Sequence, residues 1–435
     1  MKAALCVVLL ALACSCRAGP SAELRGMLAE KEEAGSIWAL LVAGSNSWMN
    51  YRHQADICHA YQVLHAHGVP DDHIVVMMYD DIAHNEENPN PGVIINHLKG
   101  PNVYPGVPHD YTKEAVTPEN FLKILTGENM NGTGSGKTIQ SGPDDYVFVY
   151  FADHGAPGIV AFPDKMLSAK KWNEAITKMH QENRYKQMVV YVEACESGSM
   201  FDKLLSDNIN VYVTTASNPH ESSYACYMDD SLETYLGDCY SVNWMEDVDN
   251  LGTTQTLKAQ YKKVKRETTT SHVEQYGDLS LDSEELEMFM GSKNSGPAGY
   301  SEPQPVPQAR SDAVPSGDVP ISILTHKIFK TPNEWEKREY EQKLLQELQL
   351  RESVRQTVKT IVESVVEPEA VDGILHKPAS PVDFDCLEAV VDRFSSACFP
   401  IGKVDYALRH VYALVNLCEA GIPSDKIMQS INSAC

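Results

Sequence analysis

The feature that most limits how this chain can fold is a series of five apolar runs separated by stretches of helical period. The runs are IWALLVAGS (37–45), IVVMMYDD (74–81), DYVFVYFADHG (145–155), MVVYVEACESGS (188–199) and NINVYVTTASNP (208–219). Each is nearly continuously apolar and rich in Val, Ile and aromatics, as strands buried on both faces must be. Between them lie QADICHAYQVLHAHG, TPENFLKILTG, opened by Thr117 and Pro118, and SAKKWNEAITKMHQE, which carry apolar residues at helical spacing. Strands alternating with amphipathic helices predict an α/β domain with a mainly parallel sheet and helices on both faces.

At 435 residues the chain has room for more than this domain. Residues 291–320 hold six prolines and four glycines and are expected to form a mobile linker. Beyond about Asn333, apolar residues such as Leu344, Leu348, Val354, Val358, Ile361 and Val365 recur at helical spacing. A separate α-helical tail follows from that pattern. At the other end, Lys2 and the apolar run Ala3–Ala13 precede small and polar residues to Gly19. That pattern marks residues 1–19 as a secretory signal, too short to span a bilayer. No later stretch is long and apolar enough for a membrane helix, so the expectation is a lumenal or secreted protein without a membrane span. The NGT sequon makes Asn131 a glycosylation candidate.

Charge excludes a class of partners. With 60 acidic against 36 basic residues and a formal charge of −24, binding to nucleic acid or an anionic membrane is disfavoured. GTGSGKT at 132–138 imitates a phosphate-binding loop but has Asn131 where the pattern needs glycine, and it follows a helix rather than a strand; nucleotide binding is rejected. None of the 15 histidines falls in HExxH and no CxxC pair occurs, so no metal and no cofactor are expected. His65 and His67 are expected at the surface of a helix.

Two strand ends remain. The third run delivers Asp153-His154-Gly155 as it stops, and the fourth delivers Cys195 at the equivalent point. In an open parallel sheet the carboxyl ends of the strands form the ligand crevice. A cysteine after a strand is by base rate a buried thiol. A histidine at the matching end of another strand changes the balance, because a His/Cys pair is what thiolate attack on a carbonyl carbon requires. Backbone N–H groups at Gly155 and Cys195 are placed to hold the developing oxyanion.

AGSNSWMNYRHQADICHAYQ, VVMMYDDIAHNEENPNPG, FADHG, EACESGSMF, ASNPHESSYACY and YLGDCYSVNWMED resemble the legumain family, the asparaginyl endopeptidases or vacuolar processing enzymes. The resemblance spans 40–250 and continues into the tail. It implies a caspase-like catalytic domain (20–290), a linker and processing region (291–333) and a death-domain-like helical prodomain (334–435) that inhibits the enzyme until acid pH loosens it. It implies Cys195 as nucleophile, His154 as acid/base, Asn50 as the residue orienting His154, and Gly155 with Cys195 as oxyanion donors. Asp153 corresponds to the aspartate that family members convert to a succinimide.

Arg52, His53, Glu193, Ser222, Ser223 and Asp238 are implied as the pocket for the asparagine side chain. A primary amide offers one acceptor and two N–H donors, which suits Arg52 together with Glu193 and Asp238. Aspartate is then expected to be accepted at acid pH, when its carboxyl is protonated. Asn333 is the expected processing site, although Pro332 before it departs from the family pattern. The resemblance pairs Cys386 with Cys418 and Cys398 with Cys435, where the count alone allows three pairings. Cys239 stands where a tryptophan is expected, thirteen residues after Cys226, and a Cys226–Cys239 bridge is the suggested consequence; Cys58 is expected as a buried thiol. Implied partners are protein and peptide substrates, the prodomain itself and cystatin-type inhibitors, in a lysosome, endosome or acidic vacuole, or outside the cell. A peptide ligase and a non-catalytic binding protein on the same scaffold are the competing readings.

Overall fold

The computed structural model describes residues 35–292 and 312–435. The expected signal segment and most of the expected linker lie outside the described residues. Five strands, β1 (Ile37–Ala43), β2 (Ile74–Met77), β3 (Tyr146–Ala152), β7 (Gln187–Glu193) and β8 (Val211–Thr215), coincide with the five apolar runs. They form one parallel sheet in the order β8-β7-β3-β1-β2, closed at the β8 edge by antiparallel β11 (Glu274–Gly277). Two small antiparallel sheets accompany it. One joins β4 (Gly155–Ala156), β5 (Ile159–Ala161) and β6 (Met166–Ser168); the other joins β9 (Tyr224–Asp229), β10 (Thr234–Asp238) and β12 (Val314–Pro315).

Both faces of the main sheet are covered, which is why its strands lack polar alternation. Leu40, Val42, Val149, Phe151 and Val190 pack with residues of α2 (Pro118–Leu125) and α3 (Ala169–Gln181), among them Phe121, Ile124, Trp172 and Ile176. Leu41, Phe148, Tyr150 and Tyr191 pack on the other side with α1 (Tyr51–Ala66) and α4 (Cys239–Leu251), where Trp244 stands edge-on to Phe148, Tyr150 and Tyr191. Helices α5 (Leu257–Glu267) and α6 (Glu287–Met290) finish this layer. Local signals set the helix starts: Thr117 accepts from the Asn120 N–H, and Ser168 from the Lys171 N–H.

The tail is helical as expected. Helix α7 (Val319–Lys330) packs on the 32-residue α8 (Glu334–Val365), followed by α9 (Pro368–His376), α10 (Phe384–Ala397), α11 (Val411–Glu419) and α12 (Ser424–Ala434). Val358, Ile361, Val390, Phe394, Leu414 and Ile431 build its core. Disulfides Cys386–Cys418 and Cys398–Cys435 staple it. No described helix is long and apolar enough to cross a membrane.

Three expectations are corrected. Helix α1 is buried on nearly every side, and His67 on its C-terminal end is buried with Nδ1 2.7 Å from the Val63 carbonyl. The second part of the expected mobile linker is ordered from residue 312: Val314 pairs with Ala225, so the segment adds a strand to β9 and then enters α7 through Pro320 in its first turn. Cys226 and Cys239 are buried thiols, not a disulfide. Cys226 stands opposite Gly237 in the β9–β10 ladder, whereas Cys239 lies past the end of β10 as the first residue of α4.

Candidate active site

The register of the central strands places the chemistry. Ala152 pairs with Glu193, so His154 and Cys195 leave β3 and β7 at the same level. The chain passes from β1 to β2 on one side of β1 and then returns to β3 on the other, so the ends of β1 and β3 border a switch-point crevice. Asn50, from the turn after β1, reaches across it: its Oδ1 lies 2.8 Å from Nε2 of His154. Gly155 touches the Cys195 backbone, and a Cβ there would sit 2.2 Å from the Cys195 carbonyl oxygen. Only glycine permits that approach. Ser223 Oγ is 3.8 Å from Cys195 Sγ.

Beside this pair lies a buried cluster of charged and polar side chains. Arg52 Nε donates to Asp238 Oδ1 at 2.9 Å. Glu193 Oε2 accepts from the Ser241 N–H and hydroxyl at 3.1 and 2.9 Å. His53 Nδ1 is 2.6 Å from Ser45 Oγ, and its Nε2 is 3.6 Å from Asp238 Oδ2. Burial, then the Arg52 charge, holds His53 well below the usual histidine range, so it is neutral. Glu193 Oε1 and Asp238 Oδ2 are buried and have no donor. Of the residues named for the pocket, Arg52, His53 and Asp238 meet here and Glu193 is buried at the end of β7, while Ser223 lies at Cys195 and Ser222 before it is half-buried.

Asp153, next to His154, has burial pushing it up to about 7. His53, Asp153 and His154 bring three ligand-type atoms within 4.8 Å of one another. His154 is engaged by Asn50, and no metal is assigned.

Sequence reasoning missed the residues that close the site. Asp405, in the tail between α10 and α11, places Oδ2 3.1 Å from His154 Nε2 and accepts from Asn50 Nδ2 at 3.4 Å. Ser316 stands between two site residues: its Oγ is 2.6 Å from Arg52 Nη2 and 3.4 Å from His154 Nδ1. Neither lies in a motif, and only the packing of the tail brings them in. Burial opposes charge on His154, but the Asp405 carboxylate prevails and raises its pKa. Burial, with the neighbouring Glu196 charge, pushes the Cys195 thiol up to about 12. In the covered site Asp405 favours the charged form of His154 and burial favours the neutral thiol of Cys195, the opposite of what attack needs.

Other expected sites are dispersed. Asn131 is exposed in the loop before β3, and Asn333 is exposed at the start of α8, where its side chain caps the Trp335 N–H. Lys137 of the GTGSGKT loop is held by the carbonyls of Asp71 and Ile74 and by Asp110. Cys58 is a buried thiol 3.9 Å from Met78 Sδ.

The family model described as "Peptidase C13 family" matches residues 37–292, and that described as "Legumain, prodomain" matches 342–435. Legumain of Bos taurus is 49% identical over 415 residues, 94% of this chain and 95% of that protein. The vacuolar-processing enzyme delta-isozyme of Arabidopsis thaliana is 41% identical, covering 93% of this chain and 91% of its own. The hemoglobinase of Schistosoma japonicum is 42% identical over 92% of both chains.

Proposed function

This chain belongs to the peptidase C13 family and is a cysteine endopeptidase with its own prodomain, and from that premise we propose that it cleaves peptide bonds after asparagine and is released from latency by acid. The observation that carries the specificity is the pair of buried acceptors without donors, Glu193 Oε1 and Asp238 Oδ2, beside the Arg52 guanidinium. A carboxamide supplies the missing N–H groups and takes an Arg52 N–H on its carbonyl, whereas a side chain lacking them leaves buried carboxylates unpaired.

His154 removes the Cys195 proton and the thiolate attacks the scissile carbonyl. The Gly155 and Cys195 N–H groups receive the oxyanion, and His154 then protonates the leaving amine. Water completes hydrolysis. Asn50 keeps the imidazole oriented through the cycle. Asp153, a carboxyl near neutrality, is the candidate for loss of water to the His154 backbone nitrogen, which forms a succinimide. Latency rests on Asp405, which occupies His154 until a cut near Asn333 frees the tail that carries it. Glycosylation at Asn131 and residence in an acidic lumenal compartment belong to the same reading.

The test is a peptide-cleavage profile of acid-treated protein, with Cys195→Ala as control. Cleavage after asparagine is expected throughout, with aspartate rising as pH falls. Equal cleavage after glutamine or lysine, or aspartate cleavage that ignores pH, would overturn the assignment.

A further inference from the structure

Behind the pocket stands a carboxyl that the mechanism above does not use. Asp56 lies on α1, one turn beyond Arg52 and three residues after His53, so the three share a helix face. It is fully buried. Its Oδ1 accepts from Asn96 Nδ2 at 2.7 Å, while its Oδ2 has no donor. The Oδ2 of Asp238 on β10, which packs against α1, likewise has no hydrogen-bond partner, with His53 Nε2 3.6 Å away. Two buried carboxyls on packed elements, each with one unpartnered oxygen, are satisfied together by one proton shared between them.

The proton belongs on Asp56. Asp238 has the Arg52 guanidinium at 2.9 Å to favour its charge. Asp56 has no cation in contact, and the groups facing it are Asp238 from β10, Glu193 from β7, the Tyr150 hydroxyl from β3 and the Asn96 amide. Burial, followed by the Asp238 charge, drives its carboxyl well above the usual range. Arg52 and His53 precede it on α1, and His53 is neutral.

Resting on the asparagine-pocket reading, we propose that Asp56 is a positioning residue for specificity, a neutral carboxyl whose O–H donates to Asp238 and holds it facing the substrate amide. With one lone pair engaged by Asp56 and the other oxygen by Arg52, Asp238 is left a single direction in which to accept. The support runs outward. Asn96 Oδ1 meets His59 Nδ1 at 2.8 Å, and His59 Nε2 meets Asp249 Oδ2 at 2.8 Å, near the surface. A polar chain therefore fixes Asp56 from behind.

The experiment compares Asp56→Ala, Asp56→Asn and wild type, each acid-treated. Wild type is first confirmed to cleave after asparagine; if it does not, the pocket reading fails, independently of Asp56. Removing the donor in Asp56→Ala is expected to raise KM for an asparaginyl peptide about tenfold while kcat stays within about threefold, as one lost buried hydrogen bond implies. Asp56→Asn keeps a donor and is expected to recover most of that loss. Infrared difference spectra of Cys195→Ala against Cys195→Ala/Asp56→Asn, read without activity, should show the carbonyl band of a protonated carboxyl disappear at mildly acid pH. Asp56→Asn as impaired as Asp56→Ala, or no such band, would overturn the proposal.

Discussion

Gly155 shows how a single residue carries both fold and chemistry. It opens β4, and the Cys195 carbonyl would collide with any Cβ it bore. Gly155→Ala must push the two strand ends apart and, on the proposed mechanism, misplace an oxyanion donor. We expect kcat to fall about 10²–10³-fold, the usual cost of one such donor, with KM little changed. Steady-state kinetics on an asparaginyl peptide checks it. Cys195 makes a second case. In the covered site its thiol is pushed up to about 12, so the thiolate is nearly absent at neutral pH. Alkylation of the intact chain should be slow and accelerate strongly once the tail is removed, as mass-spectrometric labelling of Cys195 will show. Equal rates in both forms would contradict this.

Elements explain why some expectations were legible and others not. The five parallel strands announced themselves because both their faces are apolar, and the caps at Thr117 and Ser168 are local events. Helix α1 misled because it is wedged between the sheet and β10, where polar residues such as Arg52, Asp56 and His59 are buried in networks rather than solvated. Helical spacing from Arg52 and His53 to Asp56 was the signal that could have identified the third member. The short strands β9 to β12 carried no pattern, since β12 pairs with β9 across almost ninety residues of chain. In the tail, the Cys386–Cys418 bridge closes a loop with a sequence separation of 32 and ties α10 to α11. Replacing both cysteines with serine should cost the tail about 3–4 kcal/mol. Calorimetry of the intact chain will read this as a lower melting temperature for the tail.

At the scale of the whole molecule, an acidic tail rests on an acidic catalytic domain. From 334 onward the chain has 17 acidic and 11 basic residues. Docking therefore depends on local matches. Lys170 pairs with Asp385 and Lys171 with Glu388, both at 2.6 Å, and Phe384 and Leu387 seat against Gly158. Exposed pairs of this kind add little individually. Asp405 at His154 is different, because it is only partly exposed and touches a buried histidine. Burial raises the Asp405 pKa, but His154 outweighs it and leaves the group depressed. Its contribution is present above its undocked pKa and lost as pH falls through the depressed one. The raised His154 contributes below its undocked pKa and loses this as pH rises through the raised one. The contact therefore holds between these limits and fails on the acid side through Asp405. Asp405→Asn should move the acid threshold for activation up by about one pH unit. An activation series across pH checks it, and an unchanged threshold would remove Asp405 from the latch.

Taken alone, the sequence determined the parallel sheet, the position of His154 and Cys195 at its edge, and the helical tail. Those features rest on periodicity, on strand-end chemistry and on long motifs, all of which are local in the chain. Tertiary structure decided what meets the site from afar. Asp405 reaches His154 from more than two hundred residues away, Ser316 bonds Arg52 through a segment that had looked like linker, and Asp56 meets Asp238 only because α1 crosses β10. The physical reason is that a buried polar group needs a partner in space, and the sequence records that need without naming the partner.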